Sequence, residues 1–113
     1  MNEPLDLSEA GEIFPVIREL VVTGNPQCSR KVNEAIDRGE LTVRDLKQCM
    51  ITARGIHKAE KDDLGMALDG RKYFIIGRGS YGQRVYTCGR IFLTPEGHRA
   101  YFFITAHEAN EKD

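Results

Sequence analysis

The stretch RKYFIIGRGSYGQRVYTCGRIFLTPEGHRAYFFITAH, residues 71–107, decides the fold. Apolar, β-branched and aromatic residues run through Lys72–Ile76, Arg84–Leu93 and Arg99–Ala106, which predicts three strands. The breaks between them are equally legible. Gly77–Gly82 is a glycine-rich loop, and Thr94-Pro95-Glu96-Gly97 carries proline and glycine where a tight turn requires them. Three consecutive antiparallel strands form a meander that helices can cover on one face. The same stretch is basic, with Arg71, Lys72, Arg78, Arg84, Arg90 and Arg99 set against Glu96 alone. Residues 1–70 hold nine Lys/Arg and 13 Asp/Glu, and the tail Glu108–Asp113 adds one Lys and three acids. The overall charge of −1 therefore hides a split. A basic element pattern in an acidic chain implies an anionic partner, of which nucleic acid is the commonest.

N-terminal to this stretch the period changes to that of helices. Ile13, Val16, Ile17, Leu20 and Val21 lie on one face of a predicted helix over 13–22, in which Pro15 occupies the first turn or makes a kink. Gln27–Arg38 repeats the pattern with Cys28, Val32, Ala35 and Ile36, ending at Gly39. A third helix starts at Thr42, whose partner in a capping box is Asp45, with Leu46, Cys49 and Met50 as its buried stripe. After it comes a charged run, His57–Asp63, with a weak strand signal around Ile56–Glu60 and a carboxylate, Glu60, within reach of the sheet surface. The fold class expected is α+β: two or three N-terminal helices packed on one face of a three- to four-stranded antiparallel sheet. The whole chain fits one domain, with an N-terminal helical extension at 1–26, a core at 27–109 and a tail at 110–113.

Several function classes are disfavoured by composition. The acidic start Met1–Asp6 has neither the basic nor the apolar region of a secretion signal, and no apolar run nears the roughly 20 residues that cross a bilayer. A cytoplasmic location without membrane association is expected. Cys28, Cys49 and Cys88 are odd in number and never paired as CxxC, which points to packing rather than a disulfide framework or zinc site. His57, His98 and His107 lack any metal-ligand spacing, so no metal is expected. Gly77-Arg-Gly-Ser-Tyr-Gly82 spells the dinucleotide fingerprint G-x-G-x-x-G. A strand rather than a helix follows it, which makes it a hairpin loop, and no cofactor is expected.

Sorting each strand by parity separates its two faces. In the last strand Ala100, Phe102, Ile104 and Ala106 form the face expected to meet the helices. Arg99, Tyr101, Phe103, Thr105 and His107 are expected to face outward. The middle strand offers Arg84, Tyr86, Cys88, Arg90 and Phe92 on one side. If the polar sets align, arginines, tyrosines and a histidine share one surface. Guanidinium forks hold phosphates, phenol rings stack on bases, and histidine can move a proton near neutral pH. The competing reading is a solvated structural face, since half-exposed antiparallel sheets normally carry polar and aromatic residues outward.

The segments Tyr73-Phe-Ile-Ile-Gly77, Gly82-Gln-Arg84-Val85-Tyr86-Thr87 and Arg99-Ala-Tyr-Phe-Phe-Ile-Thr-Ala-His107-Glu-Ala109 resemble the sheet of BrnT-like proteins. Those are small relatives of the RelE-type toxins. The helical part, with Arg30, Arg38-Gly39 and Leu41-Thr42-x-x-Asp45, looks like a related uncharacterised bacterial domain family of the same architecture. The resemblance spans roughly residues 27–109. It implies a metal-independent endoribonuclease of a toxin–antitoxin pair, in which the 2′-OH of the RNA attacks the neighbouring phosphate. The protein then supplies cations and a proton-moving group. On that reading Arg84, Arg99 and His107 would be catalytic, and Arg78, Tyr86, Arg90 and Tyr101 would hold the substrate. His107 departs from the resemblance, because BrnT-like proteins usually carry an arginine there. The expected partners are RNA, an antitoxin protein and, through exposed strand edges, a second copy of the chain. The alternative is a non-catalytic protein- or nucleic-acid-binding module. A small-molecule enzyme is disfavoured, since no nucleophile–base set or carboxylate pair lies near the sheet.

Overall fold

The computed structural model describes residues 7–109, with side chains from Glu12 onward. The acidic start at 1–6 and the tail at 110–113 lie outside the described residues. The elements are α1 (Leu7–Val22), β1 (Gln27–Cys28), α2 (Arg30–Asp37), α3 (Val43–Thr52), β2 (Lys58–Lys61), β3 (Arg71–Arg78), β4 (Arg84–Leu93) and β5 (Arg99–Glu108). The strands form one five-stranded sheet in the order β1-β5-β4-β3-β2. All neighbours pair antiparallel except β1, which runs parallel to β5. The architecture is α+β, with the helices preceding most of the sheet and packed on one side of it.

Local chemistry explains the helix boundaries. The Ser29 hydroxyl accepts from the Val32 amide to cap α2, and it also donates to the Ile104 carbonyl at 2.8 Å. One side chain therefore starts a helix and ties it to the last strand. Thr42 and Asp45 form the expected capping box on α3. Pro15 stands inside α1 rather than in its first turn, so the helix loses one backbone hydrogen bond there. Two strands lie beyond the three long ones: β2 has a weak signal, whereas β1 takes Gln27 and Cys28 from the helix expected over 27–38. The charged run does contain a strand, β2, which pairs Lys58–Lys61 with Arg71–Phe74. The two-residue β1 carries no pattern of its own.

The core lies between the helices and the inner sheet face. Phe14, Ile17 and Val21 of α1, Val32 and Ala35 of α2, and Leu46 and Met50 of α3 meet Tyr73, Ile75, Ile91, Tyr101 and Phe103. Helix α3 comes closest at Gly77, where an added Cβ would lie 2.1 Å from the Cys49 carbonyl oxygen. A side chain at that position would push the helix off the sheet, which accounts for the glycine of the Ile76-Gly77 pair near the end of β3.

One expectation is overturned here. Tyr101 and Phe103, not Ala100 and Phe102, face the helices, and both are fully buried. The cause is a bulge in β5. Cys88 pairs with Thr105 but Gly89 pairs with Phe103, leaving Ile104 as the extra residue. An extra residue reverses the side-chain phase along the strand. Upstream of Ile104 the odd-numbered residues point inward, and downstream it is Ala106 that does so. Burying the rings of Tyr101 and Phe103 removes more apolar surface than burying Ala100 and Phe102 would. Tyr101 packs over Gly89, where a Cβ would sit 2.4 Å from the ring, and it meets Phe103 edge-on at 5.1 Å.

Candidate nucleic-acid interface

The sheet face away from the helices carries two side-chain rows that the register defines. One row aligns Ile76 with Tyr86 and Tyr86 with His107, and the next aligns Arg78 with Arg84. The Tyr86 and His107 rings stack at 5.1 Å with 28° between their planes, and Phe74 approaches Tyr86 at 6.1 Å. His107 is exposed, and its Nδ1 lies 2.9 Å from the Glu108 carbonyl oxygen. Arg78 is held by the Gly82 carbonyl at 3.3 Å. This corner thus presents two guanidinium groups beside a stacked aromatic pair, the combination that grips phosphates and bases.

The remaining residues expected at the site lie elsewhere. Tyr101 is 0% exposed, within the core, and its hydroxyl has no partner among the described residues. Burial raises its pKa well above the ordinary tyrosine value. Arg99 pairs with Leu93 at the far end of the meander and shares the phase of Tyr101, so it stands across the sheet from Arg84. The bulge thus separates both residues from His107. Arg90 shares the outer face but is only 6% exposed. The β2–β3 connection folds over it: Asp62, itself buried, lies 3.5 Å from Arg90 Nη1, and Met66 Sδ lies 3.7 Å from Nη2. Its guanidinium also covers the Phe102 ring at 4.7 Å. A group so enclosed is part of the structure rather than a ligand-binding surface. Of the seven residues, Arg78, Arg84, Tyr86 and His107 come together.

The glycine loop belongs to the scaffold at this corner. Asp45, buried at the start of α3, accepts hydrogen bonds from the Ser80 amide at 2.8 Å and from Gln83 Nε2 at 3.2 Å. Burial pushes the Asp45 pKa up, but the Ser80 and Thr42 amides outweigh it and leave the carboxyl below its ordinary value. One carboxylate therefore caps a helix and pins the loop between β3 and β4. Tyr81 at the loop tip is 92% exposed. Glu60 does reach the outer face, where it meets Lys58 at 3.3 Å and Lys72 at 4.0 Å rather than an arginine.

Beside the Arg78–Arg84 row opens a cleft of about 720 Å³, lined by Arg54, His57, Ile76, Arg78 and Arg84 among others. In the sequence His57 stands out only as part of a charge run, and Arg54 not at all. Their convergence depends on how the α3–β2 connection crosses the end of β3, which no local pattern reveals. The three cysteines are free, and burial raises the pKa of each, that of Cys49 to about 12. They are packing residues with little thiolate character. Among the described residues no three His, Cys, Asp or Glu side chains gather as metal ligands. No described helix is long and apolar enough to cross a membrane. No family model, curated protein or solved structure matches the chain.

Proposed function

We propose that this protein binds single-stranded RNA across the outer corner of its sheet. The supporting observation is the alignment of Arg78 and Arg84 beside the stacked Tyr86–His107 pair on the sheet face away from the helices. Arginines take the phosphates, and the rings take a base by stacking, which every base can satisfy. The contacts are to features common to all strands, so sequence preference is weak. The test is fluorescence anisotropy with a labelled oligouridine. Arg78→Glu with Arg84→Glu lowers affinity at least tenfold, on the order of 0.7 kcal/mol or more per lost phosphate contact, with unchanged circular dichroism. Full affinity in the folded double variant would end this reading.

The stacked imidazole beside Arg84 favours one further reading, that of an endoribonuclease toxin. Arg84 would stabilise the charge on the attacked phosphate. His107 would take the 2′-OH proton as the O2′–P bond forms and return it to the departing 5′-oxygen as the P–O5′ bond breaks, leaving a 2′,3′-cyclic phosphate. Arg99 has no part in it, because the sheet separates it from His107. Cleavage of the bound RNA, lost in His107→Phe, which keeps a ring to stack on Tyr86 and so retains binding, is the outcome expected of a toxin with a neutralising antitoxin. RNA recovered intact, together with normal growth of expressing cells, leaves the binding module.

A further inference from the structure

The cleft at the end of β3 shares Arg78 and Arg84 with the outer corner and adds Arg54 and His57 to them. Its basic groups come from three separate segments: Arg54 and His57 from the α3–β2 connection, Arg78 from the end of β3, and Arg84 from the start of β4. No carboxylate stands among the described residues that line it. The backbone contributes as well. The His57 amide donates to the Phe74 carbonyl at 2.8 Å, and the Arg78 amide donates to the Thr52 hydroxyl at 2.7 Å. Both bonds lie on the β3 edge that β2 leaves uncovered beyond Phe74. Alternate residues of an antiparallel strand present their backbone groups to the same side. The Ile76 amide and carbonyl between them are therefore directed to the same edge, a donor beside an acceptor. The carbonyl end of α3, which repels anions, is partly answered by the Thr52 hydroxyl, 2.8 Å from the Gln48 carbonyl and 3.3 Å from that of Cys49.

We infer that this cleft binds the terminal phosphomonoester of an RNA strand whose following nucleotides lie across the Tyr86–His107 face. The inference rests on the single-strand reading above and names the part of the strand that the site selects. An internal phosphodiester carries one negative charge, whereas a phosphomonoester carries close to two at neutral pH. Three guanidinium groups around one opening match the larger charge, and the His57 ring adds a hydrogen-bonding group. The volume suits a terminal nucleotide rather than a bare ion. A chain end also fits because Arg54-Gly55-Ile56-His57 crosses one side of the cleft.

The experiment measures anisotropy of the full chain with three labelled oligouridine decanucleotides: 5′-phosphorylated, 3′-phosphorylated and hydroxyl at both ends. One phosphorylated form is expected to bind about tenfold more tightly than the hydroxyl form, and which one does so identifies the end selected. Arg54→Ala, at an exposed position, should erase that advantage while leaving affinity for the hydroxyl form unchanged. Equal affinity for all three strands would overturn the terminal-phosphate site and leave the strand-binding reading standing. Binding to none of them would overturn both. An Arg54→Ala protein that keeps the advantage would also overturn the assignment of the cleft.

Discussion

Two side chains show how single residues set the stability of this fold. The Tyr101 hydroxyl is buried without a hydrogen-bond partner among the described residues, directly against Gly89. An unpartnered buried hydroxyl costs about 1–3 kcal/mol relative to an apolar group of the same shape. Tyr101→Phe should therefore raise stability by about 1 kcal/mol, read as a higher urea midpoint with an unchanged slope. A lower midpoint would mean that the hydroxyl has a partner. Asp45 works in the other direction. Its carboxylate is held below its ordinary pKa by the amides it accepts from, so the charged form stabilises the fold above the ordinary value of about 3.9. That contribution is lost as pH falls through the lower folded value. Asp45→Asn should cost about 1–2 kcal/mol at neutral pH, with the gap to the parent protein narrowing below about pH 4. A gap independent of pH would show that the carboxylate's charge is not what matters.

At the scale of elements, the β2–β3 connection does more than join two strands. Asp62 accepts from the Met66 and Ala67 amides at 3.0 and 2.8 Å, which closes the turn, and its other oxygen faces the buried Arg90. Removing one partner of a buried pair strands the other charge, at a cost of about 3–5 kcal/mol. Asp62→Ala is expected to lose about 3 kcal/mol, near the low end because part of Arg90 lies over Phe102. Denaturant unfolding of Asp62→Ala and of Asp62→Ala with Arg90→Met separates the two contributions; the second protein should be the more stable. Equal midpoints would mean that Arg90 regains solvent when Asp62 is absent. The elements most legible in the sequence were those with strong local chemistry: the Thr42–Asp45 box, the turn at Thr94–Gly97 and the three long strands. β1 was not legible, because two residues gain strand geometry only from the remote Phe102–Phe103 backbone. The outward corner was half legible. Parity placed Arg84, Tyr86 and Arg90 correctly on β4, but strict alternation on β5 passed over Ile104 and put Arg99, Tyr101 and His107 on one side. Burial of Arg90 has no trace in the pattern of β4 itself, since Asp62 and Met66, which cover it, are distant in sequence.

For the whole molecule, the charge split along the chain becomes a spatial one only in part. Of the six basic residues in 71–107, Arg90 is neutralised inside the protein, Arg99 points from the opposite face, and Lys72 is drawn to Glu60. The effective basic surface is thus smaller than the sequence suggests and is completed by Arg54 from the acidic half. For a strand without a terminal phosphate, with about two phosphates engaged by Arg78 and Arg84, the logarithm of RNA affinity should fall with the logarithm of salt concentration at a slope of about −1.4. A titration series between low and physiological salt measures it, and a slope near zero would place the binding energy in the rings alone.

The single surplus residue at Ile104 acts as a phase shifter for the whole C-terminal ribbon. Substitutions before it and after it obey opposite rules, so that a polar replacement tolerated at Ala100 or Phe102 has its counterpart at Thr105 and His107. Any alignment that slides across this point without a one-position gap would match core positions to solvent-facing ones. Divergent chains sharing this architecture would then look less alike than their folds are.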